Sequence, residues 1–126
     1  MTIKTYRAPG AAVVLLSGKP LAKIYYGAMA FCAKTGATSW AGNYTSKSEA
    51  QEGATDKCRN PGGKQCQTLV WFKNGCGSIA IGEGRAAGSG WGTTSDRAQL
   101  EAMKSCSGVT RKCEIKHTSC TKGSGG

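Results

Sequence analysis

The residues with the clearest chemical potential are seven cysteines in a chain of 126 residues. Such a density in a small chain is typical of disulfide-bonded domains in oxidising compartments. Zinc is the other common use of several cysteines, but structural zinc sites favour closely spaced ligand pairs, which this chain lacks. We therefore predict disulfides, no metal site and no cofactor. The cysteines are Cys32, Cys58, Cys66, Cys76, Cys106, Cys113 and Cys120.

Catalysis by a cysteine needs a nearby base, and His117 is the one histidine of the chain. Nothing in the sequence places His117 near Cys32, so the pattern predicts an exposed histidine on a strand. The seven carboxylates fall mostly on predicted helices, without the pairing that a hydrolase uses for general acid and base catalysis. These features predict no catalytic residue and favour a non-enzymatic protein over an enzyme.

An internal repeat with a period of about 50 residues occupies most of the chain. Residues 24–74 and 75–120 each contain a Gly-x-x-Ala strand, a turn, a strand with a tryptophan, an alanine-rich helix that ends in cysteine, and a strand that begins with cysteine. Trp40 and Trp91 occupy matching places, which predicts that both pack in the core. The repeat predicts one α+β domain of two ββαβ units, forming mostly antiparallel sheet with two helices packed on it.

Both predicted helices begin at polar cap residues. Ser46 with Glu49 fits the capping box, and Thr94 stands at the start of the second helix. Small residues then recur every fourth position, which places them on one helix face and predicts close packing on a sheet. These residues are Ala50, Ala54 and Cys58 in the first helix, and Ala98, Ala102 and Cys106 in the second.

The same repeat indicates a disulfide pairing. Each helix ends in a cysteine and each last strand begins with one, so Cys58–Cys66 and Cys106–Cys113 can close local bridges. We pair Cys76, at the start of the second unit, with Cys120 at its end. Cys32 remains as the predicted thiol outside the bridges. Six paired cysteines allow other connectivities, and the sequence leaves these open.

Two segments lie outside the repeat. Residues 1–23 are predicted to form an N-terminal segment that can add a strand, and residues 121–126 a flexible tail. The apolar run Ala11–Leu16 is much shorter than the roughly 20 residues of a membrane span, so no integral membrane span is predicted. Whether a signal peptide has been removed stays open.

The charge balance favours an acidic partner. Lys and Arg number 17 against 7 for Asp and Glu, a formal net charge of +10. Candidates are an acidic protein, an anionic membrane or cell-wall surface, or nucleic acid. The basic residues are spread along the chain, which is less typical of a dedicated nucleic-acid groove. The candidate binding residues are Arg59, Lys64, Lys73, Arg85, Arg111, Lys112 and His117.

Several motifs resemble a family of secreted bacterial domains, domain of unknown function 4189. They are Tyr26-Gly27-Ala28-Met29-Ala30, Val70–Ala80 and Gly90-Trp91-Gly92, together with the helix-end and strand-start cysteines. The resemblance covers residues 24–120 and implies an exported protein with a two-unit α/β fold, but no activity. The last strand, from Glu114 to His117, is more charged than the family's usual apolar run, which predicts an edge strand.

Our preferred hypothesis is a non-enzymatic exported module, secreted or periplasmic and a monomer or weak dimer. It would recognise an acidic protein or other anionic macromolecule, for example as an inhibitor or immunity-type protein against a secreted enzyme. A stapled scaffold supports this, because preorganised loops lose little entropy on binding. The alternative is a small secreted enzyme or toxin acting on cell wall or nucleic acid, and a third hypothesis is adhesion to a membrane or cell wall by charge alone.

Overall fold

The computed structural model describes residues 24–59 and 66–122; the predicted segment 1–23, Lys64 and residues 123–126 lie outside the described residues. Two successive units have the same order of elements. The first unit contains β1 (Tyr26–Cys32), β2 (Ala37–Tyr44), α1 (Lys47–Arg59) and β3 (Cys66–Lys73). The second contains β4 (Cys76–Ile81), a 3-10 turn (Glu83–Arg85), β5 (Ala87–Gly92), α2 (Ser95–Ser107) and β6 (Glu114–Cys120). The predicted α+β class and ββαβ units are confirmed.

Each unit forms its own three-stranded antiparallel sheet. β1 lies between β2 and β3, and β4 lies between β5 and β6. Gly36 in the β1–β2 turn and Gly84 in the β4–β5 turn have φ values of 77° and 70°, which glycine adopts without a steric penalty. β6 is an edge strand of its sheet, as its charged sequence predicted.

The two sheets pack face to face, and each helix covers the outer face of its own sheet. The core between the sheets consists of the buried residues Met29, Phe31, Phe72 and Ile79. The opposite face of the first sheet packs against α1, and that of the second against α2. The layers therefore follow the order α1, first sheet, second sheet, α2. Because side chains alternate along a strand, β1 serves two cores: Ala28 faces α1 and Met29 faces the second sheet.

Small residues let the helices approach their sheets. The buried helix positions are those predicted from the four-residue spacing. Glycines at alternate positions of β5 face α2, and a Cβ at Gly88 would lie 2.2 Å from the backbone nitrogen of Cys106. Only glycine fits at that distance. Within the described residues, neither helix has the length and apolar character needed to cross a membrane.

The predicted helix caps are present. The backbone nitrogen of Glu49 donates to Ser46 Oγ at 3.2 Å, and that of Arg97 donates to Thr94 Oγ1 at 3.2 Å. Each bond satisfies an amide that the helix itself leaves without an acceptor.

Two of the three predicted bridges are present in the structure. Cys76–Cys120 joins directly opposed residues of β4 and β6, and Cys106–Cys113 links α2 to the residue before β6. Cys58 and Cys66 are not joined to each other. Cys32 lies close to both of them, as described below.

The packed chain continues past Cys120, where the sequence predicted the start of a tail. Thr121 is only 3% exposed. Its backbone nitrogen donates to the Gly75 carbonyl at 2.8 Å, and its hydroxyl accepts from the Gly75 nitrogen at 3.0 Å. The Lys122 nitrogen donates to Asn43 Oδ1 at 2.7 Å, which ties the second unit to the first. The predicted boundary is therefore too early.

Candidate binding surface

Three of the predicted basic binding residues lie close together at the end of the fold where the β1–β2 and β4–β5 turns meet. Arg111 and Lys112 both pair with Glu83, at 3.4 Å and 3.6 Å. The Arg85 guanidinium donates to the backbone carbonyl of Lys34 and so joins the two turns. These three cations contact the protein's own carboxylate and carbonyl groups, which reduces what they offer to a partner.

The structure does not bring the other predicted basic residues into that group. Arg59 is exposed at the end of α1 and pairs with Asp56 at 3.6 Å. Lys73 is exposed at the end of β3, and Lys64 lies outside the described residues. The predicted set is therefore dispersed and does not form one binding site.

His117 differs from its predicted exposure. It is half-buried on β6, opposite Ile79, and its Nε2 lies 3.0 Å from Ser119 Oγ. Burial lowers the pKa of His117 below its usual 6.5, because the charged ring loses hydration. Cys32 belongs to the core beneath α1, in the other unit, so the structure does not assemble a pair of this cysteine and this histidine.

Trp91 corrects the prediction that both repeat tryptophans pack in the core. Trp40 pairs with Met29 and packs against the core between the sheets. The counterpart of Met29 in the second unit is Ile79, and the residue opposite Ile79 is Ser89. Trp91 lies two residues further along β5, at the end of the strand, and is 55% exposed. Residues two apart on a strand point to the same face, so Trp91 has the same orientation as Ser89. It lies about 7 Å further along β5, beyond the core between the sheets.

Trp71 is the second exposed tryptophan, 39% exposed on β3. The Lys47 ammonium lies 4.4 Å from the centroid of its ring, and the Tyr26 ring centroid lies 6.3 Å away. A cation over an indole face is attracted to its π electrons, so this contact stabilises the observed orientation of the exposed ring.

Two depressions share the indole of Trp91 as a common wall. One, of about 390 Å³, also has Trp71 in its lining, and the other, of about 780 Å³, extends over α2. The smaller is lined by Leu69, Val70, Trp71, Phe72, Lys73 and Trp91. The larger is polar at its rim, where Arg97 and Lys104 both pair with Glu101, at 3.3 Å and 3.8 Å.

We call this region the tryptophan surface and define it by Lys47, Trp71, Lys73, Trp91, Arg97 and Lys104. Of these residues, the sequence indicates Lys73 alone as a binding candidate. The repeat predicts a core position for Trp91, because its tryptophan matches Trp40 in the first unit. If the two units are aligned by their strand pairs, Ser89 matches Trp40 because it lies opposite Ile79. This alignment places Trp91 outside the core.

A second cluster lies at the end of α1. The sulfur atoms of Cys32, Cys58 and Cys66 all lie within 4.8 Å of one another, close enough for one soft metal ion or for a disulfide. Cys32, predicted as the thiol outside the bridges, has two cysteines beside it, and it faces Cys66 directly across β1 and β3. Burial, and then hydrogen bonds and charges from Cys32 and Cys58, raise the pKa of Cys66 to about 12.

Comparison with known proteins identifies the family without an activity. No curated protein matches the chain significantly. The fold is similar to the NMR structure of Rv1813c from Mycobacterium tuberculosis, with a TM-score of 0.52 and 22% identity over 94% of this chain and 98% of that one. Residues 26–120 match the sequence profile described as domain of unknown function (DUF4189). These residues are most of the chain and include both units, so the protein belongs to the DUF4189 family.

Proposed function

We propose that this protein is an exported, non-enzymatic binding module that recognises an acidic protein through the tryptophan surface. The observation that carries the proposal is the 55% exposure of Trp91 between two depressions. An exposed indole costs solvation free energy in the unbound protein, and tryptophan is enriched among residues that dominate binding energy at interfaces. Covering it with a partner would bury a large apolar area.

The charge around the tryptophans supports an acidic partner. Lys47 lies over the Trp71 ring, and Lys73 lines the smaller depression. Arg97 and Lys104 line the larger depression and share the single carboxylate of Glu101, so the cations of the surface still exceed its carboxylates. Together with the net charge of +10, this gives the surface a positive field that attracts acidic proteins and accelerates their association.

A protein partner is favoured over nucleic acid by the mixed chemistry of the surface. The two exposed indoles offer apolar area, and Glu101 already pairs with Arg97 and Lys104, which leaves few cations for a row of phosphates. An acidic protein can place its carboxylates near Lys47 and Lys73 and its apolar side chains on the indoles. Nucleic-acid binding relies mainly on cations that neutralise successive phosphates.

Rigidity supports the inhibitor or immunity-type role that the sequence suggested. Trp71 and Trp91 lie on strands and not on loops, and Cys76–Cys120 braces the end of the second sheet at which Trp91 lies. A surface that is already ordered loses little conformational entropy when a partner binds. The disulfides also favour export to an oxidising compartment, secreted or periplasmic.

The proposal is tested by capture from the secreted and periplasmic proteins of the source organism, with the wild-type chain and Trp91→Ala as paired baits. Val109→Ala is the matched control, because Val109 is 67% exposed but does not line either depression. The captured acidic protein is then purified and its affinity measured by calorimetry. We expect Trp91→Ala to weaken binding at least about tenfold and Val109→Ala to leave it unchanged.

Equal affinity of the wild-type chain and Trp91→Ala for the captured protein would contradict the proposed surface. A labelled single-stranded oligonucleotide tests the other class of partner: tight binding that persists at physiological salt would contradict recognition of a protein. The inhibitor form of the proposal further requires that the captured protein is an enzyme whose activity falls when one equivalent of this chain is added.

A further inference from the structure

The three-cysteine cluster gives Cys66 two neighbours that can each form a disulfide with it. Cys66 is the first residue of β3, and Cys32 is its direct partner on β1. Cys58 is the buried cysteine in the last turn of α1. All three sulfur atoms lie within 4.8 Å of one another, so modest side-chain rotations bring either neighbour to Cys66.

The second unit shows each of these two pairings as a formed bridge. Cys106–Cys113 joins the end of a helix to the start of a strand, as Cys58–Cys66 would. Cys76–Cys120 joins two residues that face each other across antiparallel strands, as Cys32 and Cys66 do. The fold therefore accommodates both types of bridge.

The two units differ at the position of Cys32. By strand register its counterpart is Gly82, and a Cβ added there would lie 3.1 Å from the sulfur of Cys113. Gly82 has no side chain, so the second unit has no third thiol beside its Cys106–Cys113 bridge. The first unit therefore has a third sulfur beside its helix-end and strand-start cysteines.

We propose that Cys32, Cys58 and Cys66 form a thiol–disulfide exchange site, in which the bridge of Cys66 alternates between Cys58 and Cys32. Its substrates are low-molecular-weight thiols and disulfides, or the exposed disulfide of a partner protein. Cys66 is the entry point, because it is partly exposed whereas Cys32 is 0% and Cys58 is 1% exposed.

The exchange conserves electrons. The thiolate of Cys32 attacks the sulfur of Cys66, the Cys32–Cys66 bond forms and the Cys58–Cys66 bond breaks, and Cys58 leaves with the bonding pair and takes up the proton that Cys32 released. The first bridge forms when two of the thiols pass two electrons and two protons to an external disulfide, which is reduced to two thiols. No other oxidant is required.

A disulfide site fits the cluster better than a metal site. A metal ion would hold the sulfurs as permanent thiolates in a largely buried cluster, which burial disfavours. Exchange needs a thiolate only transiently, and the raised pKa of Cys66 lowers its rate without preventing it. A disulfide is neutral and carries no such desolvation penalty. The repeat also places a disulfide at the equivalent position of the second unit.

The test compares equivalent cysteines of the two units by counting thiols. Purified monomer is equilibrated in a glutathione redox buffer, alkylated under denaturing conditions without reduction, and measured by intact mass. The wild-type chain has seven cysteines, so three bridges leave one alkylated thiol.

In Cys58→Ser we expect no alkylated thiol, because Cys32 takes over the bridge to Cys66. In Cys106→Ser, the matched control, Cys113 has no third sulfur beside it, and we expect two alkylated thiols.

Peptide mapping of the wild-type chain supplies a measurement that does not depend on a variant folding. We expect the single alkylated thiol to be divided between Cys32 and Cys58. Two alkylated thiols in Cys58→Ser, or label on only one of these two residues in the wild-type chain, would overturn the exchange. Three alkylated thiols with one bound zinc or copper ion per chain would also overturn it, in favour of a metal site.

Discussion

His117 shows how position on a strand changes the chemistry of a single residue. The sequence predicted an exposed histidine, but pairing of β6 with β4 places His117 opposite Ile79 and half-buries it. Burial lowers its pKa below 6.5, because the imidazolium loses solvation. The lowered pKa links the protonation of His117 to folding, and its part in binding stays a prediction.

The lowered pKa predicts that stability falls as the pH drops. Below about pH 6.5 the unfolded chain protonates His117 before the folded chain does, so it binds more protons and the free energy of unfolding decreases with falling pH. Thermal unfolding followed from about pH 7.5 to pH 5 should show a declining Tm, and His117→Gln should flatten this decline. An identical pH profile for the variant would show that His117 has no part in it.

At the scale of elements, the glycines of β5 make the closest approach to backbone among the described glycines, and that backbone belongs to α2. A Cβ at Gly90 would lie 2.4 Å from the backbone nitrogen of Ala102 and 2.5 Å from Glu101 Cβ. Helix backbone cannot move aside as a flexible side chain can, so glycine at this position is a packing requirement. The four-residue spacing of the helix predicted close packing, but only the structure identifies the strand that receives it.

Substitution of neighbouring β5 residues tests this packing. Gly90→Ala should lower the free energy of unfolding by about 3 kcal/mol, because α2 has to shift away from the sheet. Ser89→Ala, on the opposite face of the same strand, removes only the hydrogen bond to the Leu69 carbonyl at 3.1 Å and should cost about 1 kcal/mol. Urea unfolding measures both. A loss for Gly90→Ala no larger than that for Ser89→Ala would refute the close approach of α2.

The exposure of Trp91 is also decided at the scale of elements. The repeat alignment matched Trp91 with Trp40, whereas the strand pairs match Ser89 with Trp40. Two residues of shift along a strand correspond to about 7 Å, enough to carry an indole from the core to the rim. The repeat pattern therefore predicts a core position for a tryptophan that the structure exposes.

At the scale of the whole molecule, two disulfides restrain chain segments of very different length. Cys76–Cys120 spans 44 residues and ties the first strand of the second unit to its last, while Cys106–Cys113 spans 7. A cross-link that closes a longer loop removes more conformational entropy from the unfolded chain.

The difference in loop length predicts unequal effects of removing each bridge. In the chain-entropy model, Cys76–Cys120 contributes about 4 kcal/mol and Cys106–Cys113 about 2.5 kcal/mol. The double variant Cys76→Ser with Cys120→Ser should therefore unfold at lower urea concentration than Cys106→Ser with Cys113→Ser. Equal midpoints, or the opposite order, would show that local packing and not loop length sets the contribution of these bridges.

The sequence by itself determined what depends on residues close together in the chain. Helix caps at Ser46 and Thr94, the small-residue helix faces and the ββαβ order all rest on local spacing, which the repeat displays twice. The bridge from Cys106 to Cys113 belongs to this group, because a short loop brings its ends together whatever the rest of the chain does.

The tertiary structure alone decided what depends on strand register and on the packing of layers. Cys32 meets Cys66 only because β1 and β3 pair with those two residues opposite each other, and Trp91 reaches the surface only because of its place along β5. Register is a long-range property, set by which residues pair across separate strands and which sheet faces bury each other. Strand register therefore determines both candidate sites, the tryptophan surface and the three-cysteine cluster.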